Sequence, residues 1–436
     1  MRIRASQAAE VIGGTLVGAD VEWDGASFDT RSLRPGQLFV PLVAERDGHD
    51  FMDAAVAAGA AVTLWSRPSD TVPALPAIVV PDTAAALMDL AAWAGTRLAA
   101  RVVGITGSVG KTSTKDLVRA AVAAGARVAA NERSFNNEQG LPVTILGAPD
   151  DTDVLVLEMG MRGFGEIRRL CDVARPDIGV VTAVAPSHTE RVGGIDGVAR
   201  AKAELVEALP DHGTAVLNAD DQRVRAMAGL TAARVLTFGQ SADADVRITD
   251  LTLDALARPR FTVHTPWGTA VVELPMSGAH MAGNAAAALA VAGVVGVGLD
   301  PAVAALAHAE LSAMRMQVDR AAAGGLVIND AYNANPTSMA AALEALAAVD
   351  AERRIAVLGM MAELDDPAPA HRAIAARAAE LGLRLVAVGT DRYGVEPVDA
   401  ADVAAVIGPV GPGTAVLVKA SRAIGLDRLA AALTRA

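Results

Sequence analysis

Gly104-Ile-Thr-Gly-Ser-Val-Gly-Lys-Thr-Ser-Thr114 lies where an apolar strand, Val102–Thr106, gives way to a helix, Lys111–Ala124, with Leu117, Val118, Ala121 and Val122 on one face. Glycines let the backbone turn tightly enough for its N–H groups to converge on phosphate oxygens, and the helix start adds partial positive charge. On this reading Gly107, Ser108, Val109, Gly110, Lys111, Thr112 and Ser113 hold the phosphates of a nucleotide. Lys111 reaches the β- and γ-phosphates, and the Thr112 hydroxyl binds Mg²⁺. The spacing is not the common G-x-x-x-x-G-K-[ST], because Ile105 stands five residues before Gly110. The core is the shorter Gly107-x-x-Gly110-Lys111-Thr112. A plain strand–helix turn would have no use for a lysine at the helix start.

Working outward, residues 99–312 continue the alternation, with apolar strands at Val154–Glu158, Ile178–Val184 and Thr214–Asn218. Apolar strands separated by helices predict a parallel, doubly wound sheet. From about 246 to 275 the pattern changes to period two around Pro266-Trp267-Gly268, which predicts added antiparallel strands. Residues 313–436 alternate again, with strands at Leu326–Ile328, Ile355–Leu358, Leu385–Val388 and Ala415–Val418. Helices fit Ser338–Val349, Pro369–Gly382 and Asp427–Thr434. This predicts a second, Rossmann-like sheet.

Residues 1–98 read as a small α/β unit. It has turns at Arg34-Pro35-Gly36 and Asp47-Gly48, an apolar run Leu38–Val43, a helix-like Phe51–Gly59 and a strand-like Ala61–Trp65. Four prolines between Pro68 and Pro81 predict no regular structure there. The fold class is thus α/β in three domains, which suits 436 residues at about 150 per domain.

Aromatic residues make up only 3% of the chain, so its cores must be built from Ala, Val and Leu. A net charge of −12 argues against a broad nucleic-acid surface, so an anionic ligand needs a local site. The single cysteine, Cys171, excludes an internal disulfide and reads as a small buried hydrophobe. The start, MRIRASQAAEVIGG, has no apolar signal core, and the Ala-rich Ala282–Val297 falls short of a membrane span. A soluble, cytoplasmic protein without membrane insertion is expected, and a monomer.

Only four of the 38 basic residues are lysine: Lys111, Lys115, Lys202 and Lys419. Genomic bias explains the scarcity but not the positions. Arginine cannot replace lysine where a compact charge or a deprotonated amine is required, so these four are candidate chemical sites. Glu158 ends an apolar strand, where parallel sheets place ligands, and is a candidate Mg²⁺ ligand. Its bland reading is a solvated strand-end carboxylate. His188 follows the strand from Ile178 in Ala-Pro-Ser-His-Thr; taken alone, such a histidine is more often structural. Lys202 lies two residues from Arg200, so the chain accepts arginine nearby yet keeps lysine there.

Gly-Ile-Thr-Gly-Ser-x-Gly-Lys-Thr-Ser resembles the phosphate loop of the Mur ligases, which are three-domain ATP-dependent amide ligases, and of the folylpolyglutamate synthases. The resemblance extends along almost the whole chain. It implies that Glu158, His188 and Lys202, the last carbamylated by CO₂, hold a Mg²⁺ besides the one at Thr112. Ala183 stands where the family usually has Asn. Gly278-Ala-His-Met-Ala-Gly-Asn284 resembles the family's His-Asn-x-x-Asn segment and places Asn284 near adenine; Met281 replaces the first Asn. Arg315 falls where the family has a hinge arginine. Asp330-Ala-Tyr-Asn-Ala-Asn-Pro-Thr-Ser-Met339 follows a strand and opens a helix; Asp330 and Asn333 offer contacts to the nucleotide, and Thr337 or Ser338 a helix cap. Gly359-Met-Met-Ala-Glu-Leu364 and Lys419-Ala-Ser-Arg422 match further family segments, the latter with Ala420 for the usual Gly.

In the first domain Phe28-Asp-Thr-Arg31, Pro35-Gly-Gln-Leu-Phe39 and Asp47-Gly-His-Asp-Phe51 resemble the unit that grips UDP, which implies Thr30, Arg31 and His49 near UDP. Asn136 and Asn137 are expected to line the substrate cleft. The string at Asp330 is most like that of Mur ligases joining D-alanyl-D-alanine to UDP-N-acetylmuramoyl-tripeptide. ATP would activate the tripeptide carboxylate as an acyl phosphate, and the domains would close over ATP. Three alternatives stay open: the ligase for the third amino acid, whose Asp-Asn-Pro-Arg is absent here; folylpolyglutamate synthase, which lacks the first domain; and a non-catalytic nucleotide switch.

Overall fold

The computed structural model describes residues 1–68, 75–132, 134–186, 189–362, 364 and 367–435. At its centre is a nine-stranded sheet. Its order is Gly268–Glu273, Pro259–Thr265, Val246–Leu253, Arg234–Gly239, Thr214–Asn218, Ile178–Val181, Arg101–Thr106, Val154–Glu158 and Val128–Ala130. The strands from Val128–Ala130 through Val246–Leu253 run parallel, and the hairpin at the other edge is antiparallel. The switch in periodicity near residue 246 marks this change.

Successive side chains of a strand point to opposite faces, and the core divides accordingly. Val103, Ile105, Val154 and Val156 face the helices Lys111–Ala123 and Met281–Val295. Leu155 and Leu157 face Glu166–Ala174 and Ile195–Glu207. On that second side the helix Thr83–Gly95 of the N-terminal unit packs against Gly140–Leu146 and Glu166–Ala174, so one apolar cluster runs from Met1 and Trp23 into the central sheet. Each fully buried Val or Leu contributes about 1.5–3 kcal/mol, and with so few aromatics that burial carries the stability.

The C-terminal part holds a five-stranded sheet in the order Gln317–Arg320, Leu326–Asn329, Thr414–Lys419, Arg353–Leu358, Arg384–Ala387. All its pairs are parallel except the first. The N-terminal part holds a small sheet ordered Thr15–Val17, Ala77–Val79, Val62–Trp65, Leu38–Phe39, Ala26–Ser27, beside a two-stranded pair.

Several sequence expectations need correction. The strand expected to reach Val184 ends at Val181, because from Thr182 the chain turns to brace the phosphate loop. The apolar run Leu38–Val43, which the sequence reading assigns to no element, contains the strand Leu38–Phe39, and Pro41 has no N–H to extend its ladder. The proline-rich stretch before Pro81 contains the strand Ala77–Val79, whose own residues keep every N–H. Among the described residues no helix is long and apolar enough to cross a membrane.

Candidate active site

The phosphate loop is built by two glycines and a brace. Gly107 has φ +152°, and a Cβ there would lie 1.9 Å from Thr182 Oγ1; Gly110 has φ +80° and its Cβ would meet Asn284 Oδ1 at 2.8 Å. A side chain at either position would break the loop. Ser108 N–H donates to Ala183 O at 2.8 Å, and its hydroxyl donates to Ala185 O (2.8 Å) while accepting from Ala185 N–H (2.9 Å). The Thr182 hydroxyl donates to Val109 O at 2.6 Å. Lys111 starts the helix and its Nζ donates to Gly107 O at 2.6 Å, curling over the loop it serves.

Register brings a carboxylate alongside the loop. Glu158 pairs with Ile105 on the neighbouring strand, so its side chain leaves the sheet beside the loop. The carboxylate is buried. Its Oε1 accepts from Asn136 Nδ2 at 2.7 Å, and its backbone N–H donates to Asn131 Oδ1 at 2.6 Å. Its Oε2 is buried with no hydrogen-bond partner among the described residues. A buried charged oxygen without a partner is costly, and a hard cation would satisfy it. Lys202, on the helix Ile195–Glu207, is also buried. Burial, with the charge of Lys111 nearby, holds its ammonium well below the ordinary lysine value. Thr112, Glu158 and Lys202 line one cavity. The Thr112 hydroxyl at the phosphate loop and, apart from it, the orphaned Glu158 oxygen near Lys202 are oxygen donors of the kind Mg²⁺ takes. Among the described residues no group of three His, Cys, Asp or Glu could hold a metal, and His188 lies outside the described residues.

The C-terminal part closes the cavity, whose volume is about 1740 Å³. Arg315 Nη2 donates to Thr112 Oγ1 at 3.0 Å, and its guanidinium lies 4.1 Å from the centre of the Tyr332 ring. Thr112 Oγ1 is also 3.2 Å from Ser134 Oγ. Asp330, Asn333 and Lys419 line the wall opposite. Asn335, not Thr337 or Ser338, caps the helix Pro336–Ala348. Its side chain accepts from Ser338 N–H, and Ser338 Oγ accepts from Asn335 N–H, with Pro336 as first helical residue. Asn284 Oδ1 accepts from Thr114 Oγ1 at 3.2 Å, so its amide is partly spent on the phosphate-loop helix.

Residues 105–292 match the family description "Mur ligase middle domain", and residues 314–435 match "Mur ligase, glutamate ligase domain". The UDP-N-acetylmuramoyl-tripeptide–D-alanyl-D-alanine ligase of Mycobacterium bovis is 42% identical, over 99% of this chain and 98% of its own. This chain belongs to the Mur ligase family. MurF from Acinetobacter baumannii superposes with a TM-score of 0.89 at 28% identity, covering 100% and 99% of the two chains. MurF from Thermotoga maritima, solved in complex with ADP, gives 0.82 at 26% identity over 94% and 97%.

In this Mur ligase most of the expected residues converge. Ser108 to Ser113, Asn136, Asn137, Glu158, Lys202, Asn284, Arg315, Asp330 and Asn333 all border the cavity. Asn137 has a local duty as well: its side-chain oxygen accepts from Gln139 and Gly140 N–H in the turn that leads into the helix Gly140–Leu146. Thr30, Arg31 and His49 do not line the cavity. Arg31 is exposed and forked onto Asp29 at 2.9 and 2.6 Å. His49 is buried: Ser66 N–H donates to Nε2 at 3.2 Å, leaving Nδ1 to donate to Asp47 Oδ1 at 2.6 Å, with Trp65 edge-on. That ring organises its own domain. From the N-terminal unit, Asp82, Met88 and Asp89 on or beside the helix Thr83–Gly95 face the cavity instead.

Sequence reasoning also missed Thr182, Asn131, Ser134 and Tyr332, for which no motif residue type signals a role. Lys115 is buried, paired with Asp116 Oδ1 at 3.0 Å and donating to Asn131 O at 2.8 Å; Asp116 Oδ2 accepts from Ser312 N–H at 2.7 Å. It ties the phosphate-loop helix to the loop below Glu158 and to the approach to Arg315.

Proposed function

We propose that this Mur ligase joins D-alanyl-D-alanine to UDP-N-acetylmuramoyl-tripeptide, converting ATP to ADP and phosphate. The observation that carries the reading is the convergence, on one cavity, of the braced phosphate loop, the partnerless Glu158 oxygen, and Arg315 and Asp330 from the C-terminal sheet. The likeness to the ligases of that name over nearly their whole length supports the choice of substrates.

The tripeptide's terminal carboxylate attacks the γ-phosphorus, and the bond to the β-phosphate oxygen breaks. Lys111 and the backbone N–H groups of Val109 and Gly110 hold the phosphates in line and take up their charge. The free amine of D-alanyl-D-alanine then attacks the acyl carbon, phosphate leaves, and the amine loses a proton. Arg315 bridges the C-terminal part to Thr112 beside the phosphate loop. Mg²⁺, held by Thr112 at one site and by Glu158, His188 and Lys202 at a second, would neutralise charge on the transferring group. Lys202 serves as a carbamate: its neutral amine adds to CO₂, a C–N bond forms and one proton leaves. Asn136 orients Glu158 and, with Asn137, borders the peptide. Thr30, Arg31 and His49 act on the UDP end, His49 by holding its loop.

Incubation with ATP, Mg²⁺, UDP-N-acetylmuramoyl-tripeptide and D-alanyl-D-alanine tests the reading. Phosphate release that depends on the dipeptide is expected; release indifferent to it would overturn the proposal.

A further inference from the structure

Lys419 ends the central strand of the C-terminal sheet, and its side chain is 3% exposed. Its Nζ donates to Asp330 Oδ2 at 2.5 Å and to Asn333 O at 2.9 Å. Both acceptors belong to the turn that leaves the neighbouring strand. The other carboxylate oxygen, Asp330 Oδ1, accepts from Met316 N–H at 3.1 Å, and Asp330 N–H donates to Val418 O at 3.0 Å. Met316 follows Arg315, whose guanidinium stacks on Tyr332 of the same turn and reaches Thr112. One ammonium group therefore sets a carboxylate, and that carboxylate sets the backbone beside the residue that crosses to the phosphate loop.

We propose that Lys419 is a positioning residue for the nucleotide: it fixes Asp330 and the Asn333 carbonyl so that the C-terminal wall meets ATP in register with the phosphate loop. The inference rests on the reading of this cavity as an ATP site. Three features of the contact require lysine. The two acceptors are served by a single buried nitrogen. A tetrahedral ammonium serves both from one atom, whereas a planar guanidinium would need more room and a different fork. A neutral side chain would leave Asp330 buried and unpaired, free to turn or to take up a proton. Lys419 need not touch substrate; its effect travels through Asp330.

The test uses the full-length enzyme. Lys419→Met, Asp330→Asn and the double variant are compared by calorimetric titration with ADP and by steady-state kinetics. Loss of one charge-assisted hydrogen bond predicts a KM for ATP and an ADP Kd raised about tenfold to a hundredfold in Lys419→Met, with kcat at saturating ATP changed far less. Lys419→Arg should not rescue. In the Asp330→Asn background, Lys419→Met should add less than about threefold, since the pair acts as a unit. The double variant removes both charges and keeps the test alive if Lys419→Met alone does not fold. Wild-type ADP affinity in Lys419→Met, or independent effects in the double variant, would overturn the inference. Failure of the wild-type enzyme to bind ADP would instead overturn the functional reading beneath it.

Discussion

Lys202 and Lys419 are both buried lysines on the same cavity, and they differ in what faces them. At Lys419 burial lowers the proton affinity and the Asp330 carboxylate offsets part of that, so the bonded pair is a fixed strut. At Lys202 burial is reinforced by the positive charge of Lys111, and both push its proton affinity down. At one site a carboxylate favours the ammonium; at the other both neighbouring causes disfavour it. Desolvation alone does not decide what a buried lysine is for, and the sign of its nearest charge does. Lys115, paired with Asp116, belongs with Lys419.

The largest expected effect breaks the comparison directly. Lys202→Arg and Lys111→Arg should each lower dipeptide-dependent phosphate release by at least about a hundredfold despite keeping the charge. If Lys202→Arg kept wild-type turnover, the lowered proton affinity of Lys202 would be without use.

Lys115→Met should act on stability, because Asp116 is left buried and unpaired. A loss of about 3–5 kcal/mol is expected. Lys115→Met/Asp116→Leu, in which neither charge remains, should lose less by denaturant unfolding. Equal losses would mean that packing, not charge, sets the effect.

A carboxylate in the N-terminal unit gives the same contrast with opposite sign. Burial opposes the charge on Asp47, but hydrogen bonds from His49 and Arg67 outweigh it and hold the carboxyl at about 2. The folded pKa lies below the unfolded one, so the stabilisation is complete above the unfolded value of 3.8 and is lost as pH falls towards 2. Asp47→Asn should cost about 1–2 kcal/mol at neutral pH, after discounting for solvent screening, and little near pH 2. A pH-independent difference in unfolding midpoint would show that the mutation acts through packing.

The smallest effect concerns Cys171. Burial pushes its thiol up to about 12, so a thiol reagent at pH 8 should label it only after unfolding. Labelling of the native enzyme at the rate of a free thiol would show that this layer opens.

The chain's local order already specified the alternating α/β pattern, the switch to antiparallel strands near 246, the phosphate loop and the rarity of lysine. Each depends on neighbours within a turn or a strand, where periodicity and glycine placement act directly. Val154–Glu158 and Thr214–Asn218 have the ends expected of them for that reason. Tertiary structure alone decided which lysine is paired. Asp330 and Lys419 are 89 residues apart, and Glu158 meets Asn131 and Asn136 through strand register. It also withdrew His49 from any direct contact with the cavity and made Thr182 part of the phosphate loop's frame. A side chain's charge partner and burial are set by segments remote in sequence, and no local pattern carries that information.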